Sequence, residues 1–286
     1  MTTTALDAQI GSARRAWPSL LWLVPLLVLW IAFNYAVPVI AASGMTNVAV
    51  RVFIHMLIGL GFWLGLERTE LNQVQRRDTW LGVMIPVTLW LAVIWSAALN
   101  GVFRADLSPT SLIPLALFLP VIIGVPILLR SQRMGQVLDS MPATWLVALQ
   151  VYRVFGSGFL IGWVLGVAPG VFALPAGIGD VMTGLLAVPV AISLAAGTIG
   201  SRKAAIAWNI FGLLDFVVAV GIAQAIALQL IVPSIPNTAL GLYPNVMIPT
   251  FAVPSSILLH TLSLRQLYRR ASREKAATPA SAPALA

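Results

Sequence analysis

Apolar runs of roughly twenty residues recur along this chain, and they leave it few ways to fold. A helix rises about 1.5 Å per residue, so about 20 apolar residues cross the hydrocarbon core of a bilayer. On that scale eight runs qualify, at approximately 17–40, 47–66, 79–100, 111–129, 143–167, 178–196, 204–230 and 247–267. The expected fold is all-α: a polytopic transmembrane helical bundle of about eight spans. Residues 1–16 read as a short N-terminal segment, 17–267 as one transmembrane domain, and 268–286 as a basic and then disordered tail.

Charge is scarce. Only 9% of the 286 residues are charged and 59% are hydrophobic, whereas soluble domains carry about 25% charged residues. Most of the surface is therefore expected to face lipid. With no cysteine and two histidines, disulfides, thiolate metal sites, Cys nucleophiles and His-rich metal clusters are excluded. No metal and no cofactor are expected. A net charge of +8 does not point to nucleic acid, because the basic residues follow topology instead. Fourteen of the 17 Lys and Arg residues fall in the N-terminal segment, the loops after spans two, four and six, and the C-terminal tail. The opposite loops hold Arg104, and Arg51 and Arg153 lie within spans. By the positive-inside rule both termini are cytoplasmic. Trp63, Trp80, Trp145 and Trp208 fall near the predicted cytoplasmic ends, where amphipathic rings sit at the interface.

Against this apolar background the ionisable residues stand out, since intramembrane charges are costly unless paired or hydrated. Arg153 and Asp215 each lie about ten residues into their spans from the cytoplasmic side, at a depth of ~15 Å, which predicts an Arg153–Asp215 pair. It serves either a solute or ion path or helix packing alone. Asp180 is expected at the start of span six near the opposite face, with Arg51 as its partner. Helical spacing sets Arg51, His55 and Gly59 on one stripe, Asn209, Gly212 and Asp215 on another, and Ser256, His260 and Ser263 on a third. Small and polar stripes turn inward in membrane bundles. Gly158, Gly162, Gly166 and Gly170 recur every four residues and form a predicted packing row. The uncharged stretch 167–179 reads as a turn, re-entrant if it lines a cavity. The segment 130–142 reads as a loop.

Three runs carry a resemblance: FALPAGIGDVMTGLLA (Phe172–Ala187), AWNIFGLLDFVVA (Ala207–Ala219) and IPTFAVPSSILLHTLSLRQL (Ile248–Leu267). They resemble an uncharacterised family of bacterial multi-pass membrane proteins. The resemblance covers about half the chain, from Arg153 onward. It implies a bacterial cytoplasmic (inner) membrane location and brings no catalytic assignment.

The residues support a small-solute or ion transporter, with the lipid bilayer as its medium. A non-catalytic subunit or assembly factor is the alternative, bound to another membrane protein or to a second copy of itself. A b-type haem between His55 and His260 is disfavoured, because the two fall at depths ~7 Å apart. An aspartate dyad is disfavoured too, since Asp180 and Asp215 are expected at different depths. The reading therefore leans away from an enzyme.

Overall fold

The computed structural model describes residues 45–104 and 111–277, with Pro25, Val28, Leu29 and Ala32 as isolated helical positions. The expected first span, the N-terminal segment and residues 278–286 lie outside the continuous described residues. Among the described residues the chain is helical, with no strand. The helices are α1 (Met45–Glu67), α2 (Gln73–Leu99), α3 (Ile113–Arg130), α4 (Gln132–Ser140), α5 (Ala143–Leu149), α6 (Ser157–Val164), α7 (Gly170–Ala195), α8 (Ser201–Ala227) and α9 (Val253–Ala277). Five helical stretches are long and apolar enough to cross a membrane: α2, α3, the continuous run Ala143–Val164, α7 and α8. α1 and α9 lie where the second and eighth spans were expected.

Local chemistry explains the boundaries. α2 starts at a capping box in which the Asn72 side chain accepts from the Gln75 N–H at 3.0 Å and the Gln75 side chain accepts from the Asn72 N–H at 3.1 Å. α4 forms where a loop was expected. Ser131 caps it, and Met134, Val137 and Leu138 turn one face inward. That face joins Leu66, Leu146 and Leu259 in an apolar cluster near the N-terminal end of α2. A second cluster, at the C-terminal end of α2, unites Leu91, Ile94 and Ala98 with Phe103, Val246, Met247 and Phe251.

The expected turn at 167–179 is corrected. The break is only Leu165–Pro169, where Gly166 has φ +71° and the Val167 N–H returns to the Gly162 carbonyl at 2.9 Å. This is a glycine-ended helix terminus. α7 then begins at Gly170 and runs through Pro175 and Pro189. Proline was read as a breaker, but membrane helices carry it when neighbouring helices hold the turn. The glycine row is corrected with it. Gly166 belongs to the turn, no described residue lies within 4 Å of a Cβ at Gly158, and Gly170 opens the next helix. Gly162 and Gly170 meet only side chains beside the turn, Ala168 Cβ at 3.3 Å and Trp163 Nε1 at 2.8 Å, whereas another segment's backbone comes close at Gly184 of α7, where a Cβ would stand 2.6 Å from the backbone nitrogen of Val154.

Two departures from α-geometry frame the interior. Gln150–Gly156, between α5 and α6, is a 3₁₀ segment. With three residues per turn, residues i and i+3 eclipse, so Gln150, Arg153 and Gly156 line up on one edge, and all three are buried. Ile248–Ala252, just before α9, is a π segment, a form often found at functional sites.

Candidate functional site

Arg153 is buried among the described helices, 3% exposed, on the eclipsed edge of the 3₁₀ segment. Its guanidinium is bound from three helices. From α7, Asp180 Oδ1 accepts from Nε at 2.7 Å. From α8, Asp215 Oδ2 accepts from Nη2, and the Gly212 carbonyl accepts from Nη1 at 3.1 Å. From α9, His260 Nε2 lies 3.2 Å from Nη1. The Phe216 ring lies under the guanidinium carbon at 4.0 Å from its centroid, a cation–π contact in desolvated surroundings.

Hydrogen-bond direction fixes the next layer. Arginine can only donate, so His260 Nε2 carries the lone pair and Nδ1 carries the proton. Nδ1 then donates to Asn209 Oδ1 at 2.9 Å. Asn209 Nδ2 in turn donates to the Ala205 carbonyl at 2.8 Å and to Ser263 Oγ at 3.1 Å. Trp208, read from sequence as an interfacial ring, packs inside instead. It is buried, donates to the Thr183 carbonyl at 2.9 Å, and its ring lies 5.0 Å from His260.

The expected Arg153–Asp215 pair is present, and the expected Asp180–Arg51 pair is corrected. Asp180 salt-bridges Arg153, and among the described residues no salt bridge joins Asp180 to Arg51, although both line one cavity. Depth explains the error. With α7 starting at Gly170, Asp180 stands in the middle of a helix and not at its first residue. The same shift brings both aspartates to one guanidinium, against the expected difference in depth. His55 lies apart: its Nε2 is 3.0 Å from Thr88 Oγ1 on α2. Both ring nitrogens of His260 already have protein partners, which leaves neither for a haem iron. Among the described residues no group of His, Cys, Asp or Glu is arranged to hold a metal ion.

A cavity of about 70 Å³ opens beside the cluster. Arg51, Tyr152, Arg153, Asp180 and Ser256 give it a polar side, and Ile54, Phe155, Phe216, Ile248 and Val253 an apolar one. That volume holds several waters. Tyr152 and Ser256 hydrogen-bond to each other through their hydroxyls. Ser256 also donates to Gln150 Oε1 at 3.3 Å, and Gln150 Nε2 donates to the Ser256 carbonyl at 3.2 Å. Sequence reasoning did not single out Gln150, Tyr152 or Phe216, and it read Gly179 only as part of the expected turn. Their roles follow from the 3₁₀ segment and from the α7–α8 contact, which no local pattern announces.

The arrangement holds one fixed cation between two carboxylates at the edge of a small cavity with one polar side and a largely apolar remainder. Chemically it can bind a charge, exchange a partner of the guanidinium, or lock four elements together. A model of the family described as Domain of unknown function (DUF8737) matches residues 110–268. The match takes in Arg153, Asp180, Asn209, Asp215 and His260 and leaves out Arg51 and His55. No curated protein and no solved structure matches the chain.

Proposed function

The chain belongs to the family described as a domain of unknown function, DUF8737, and because that description names no activity, we propose a function from the site itself: a permease-like membrane protein that moves a small solute or ion past the Arg153 cluster. In this reading the chain crosses a bacterial cytoplasmic membrane eight times, with both termini in the cytoplasm. Five apolar helices and the one-sided distribution of Lys and Arg support that arrangement.

One observation carries the proposal. Arg153 and Asp180 belong to the wall of a cavity, whereas a purely structural ion pair is best kept dry and fully covered. The non-α backbone beside it, 3₁₀ on one wall and π on another, suits a site that must rearrange. Transporters place such interrupted helices at the membrane midplane.

The test is electrical. Purified protein in liposomes, adsorbed on a solid-supported membrane, is exposed to concentration jumps of chloride, acetate, lactate, phosphate, sodium and potassium. At least one jump should give a current that Asp215→Asn lowers by about tenfold or more with an unchanged size-exclusion profile. Silence of the wild-type protein to every jump, or an Asp215→Asn current equal to wild type, sinks the proposal.

The alternative is a subunit that docks another membrane helix, and Gly158, where no described residue stands within 4 Å of a Cβ, favours it at one place. Co-purification of a stoichiometric membrane partner, lost on Gly158→Leu, would support that alternative.

A further inference from the structure

We propose that the coupled ion of this site is a proton, and that Asp180 carries it while Asp215 remains the fixed counter-ion of Arg153. The inference rests on the permease reading and names the ion that reading leaves open.

Charge balance comes first. Arg153 contributes one positive charge, and Asp180 and Asp215 contribute two negative charges to the same guanidinium. A net negative charge at this depth is costly, and uptake of one cation removes it. The charged and titratable groups that face Asp180 are Arg153 and Tyr152 from the 3₁₀ segment, Asp215 from α8, His260 from α9 through Arg153, and Arg51 of α1 in the cavity wall. His260 takes up no charge while it accepts from Arg153, since its lone pair is already in use. Arg51 shares the cavity wall but makes no salt bridge with either aspartate, so the guanidinium that Asp180 and Asp215 share is that of Arg153 alone.

The chemistry of the cavity selects a proton over a metal cation. Hard cations need several oxygen ligands. Here the Tyr152 and Ser256 hydroxyls bind each other, and the remaining wall is largely hydrocarbon. A proton needs only one carboxylate oxygen and a water to deliver it.

Geometry then separates the two aspartates. The Asp180 side chain is 14% exposed and lines the cavity, whereas that of Asp215 is 6% exposed and does not. The step balances simply. A hydronium ion in the cavity gives its proton to the Asp180 carboxylate, which becomes a neutral acid, and water remains. The ion pair to Nε is lost. Arg153 stays in place, because Asp215, the Gly212 carbonyl, His260 and the Phe216 ring still hold it. The protonated cluster is neutral, and Asp180 can swing toward the cavity.

Infrared difference spectroscopy of the protein in lipid vesicles, titrated with acid and base, reads the carboxylic-acid carbonyl stretch directly. Wild type should show a protonated-acid band that persists at pH values where the water-exposed carboxyls have ionised. Asp180→Asn should abolish that band, and Asp215→Asn should retain it. Asp180→Glu keeps an acid at the position and should move the band, so the assignment survives a failure of the Asn variant to fold. Absence of a persistent band in wild type overturns the proposal, as does a band left unmoved by Asp180→Glu. Solute currents recorded in the same vesicles separate the two readings. A band without any current leaves the proton site standing and removes the permease. A current that ignores a pH gradient, with no band, does the reverse.

Discussion

Gly179 on α7 lies directly against the carboxylate of Asp215 on α8, so close that a Cβ at position 179 would overlap the acid. The missing side chain lets Asp215 reach Arg153 from behind α7. Gly179→Ala should therefore push Asp215 off the guanidinium. An overpacking penalty of about 1–3 kcal/mol is expected, seen as a lower midpoint in tryptophan-monitored thermal unfolding. An unchanged midpoint would show that Asp215 has another place to go.

Removing the central cation should cost more than removing the whole cluster. Arg153→Met strands two buried carboxylates, and breaking a buried pair in this way costs roughly 3–5 kcal/mol. The triple variant Arg153→Met, Asp180→Asn, Asp215→Asn leaves no buried charge and should regain most of that loss. Comparison of the two midpoints in the same detergent checks it. A triple variant no more stable than the single one would show that the charges are not what Arg153→Met exposes.

His260 links Arg153 to Asn209 through two hydrogen bonds. Its replacement by Phe preserves the ring but leaves Nη1 and the Asn209 carbonyl each short of a partner. The expected destabilisation is about 1–3 kcal/mol. Adding Asn209→Leu removes the second orphan, so the double variant should lose less than the sum of the singles. A double-mutant cycle reads that coupling, and strict additivity would mean that the two residues act independently.

Two glycines should respond in opposite ways. At Gly184 a Cβ meets the backbone of Val154 and the Val151 carbonyl at 2.6 and 3.0 Å, while at Gly158 it meets no described residue within 4 Å. Gly184→Ala is expected to lower stability by about 1–3 kcal/mol, and Gly158→Ala to leave it unchanged or raised by up to ~1 kcal/mol. Thermal unfolding of both variants ranks them. The reverse order would place the packing seam back on the predicted glycine row.

At the far end of α9, Asp139 of α4 is held by Arg269 and Arg273, and its hydrogen bond raises the Arg269 guanidinium above its ordinary value. The Asp139 side chain is 6% exposed, so Asp139→Asn should loosen α4 and speed its amide hydrogen exchange. The Arg202–Glu274 pair is water-exposed on both sides, and Glu274→Gln should leave exchange as it was. Equal exchange in α4 of both variants would show that the Asp139 clasp holds nothing.

Much of the interior was legible because its signals are local. Asn209, Gly212 and Asp215 share a stripe of α8, and Ser256, His260 and Ser263 share a stripe of α9. Helical periodicity alone turns each stripe inward. The depth match between Arg153 and Asp215 also came from counting residues. Asp180 was misplaced because Pro175 and its glycines look like a turn. Whether a proline ends a helix depends on the helices around it, and those lie far away in sequence.

The sequence by itself determined the class of fold and the residues that had to be satisfied. Runs this long and apolar satisfy their backbone as helices long enough to cross a membrane, and an arginine and two aspartates inside them are costly unless paired. Tertiary structure decided who pairs with whom. The 3₁₀ segment aligns Gln150, Arg153 and Gly156, Gly179 admits Asp215, and the helix through Pro175 lifts Asp180 to the same level. Each depends on contacts between segments dozens of residues apart, which local periodicity does not encode.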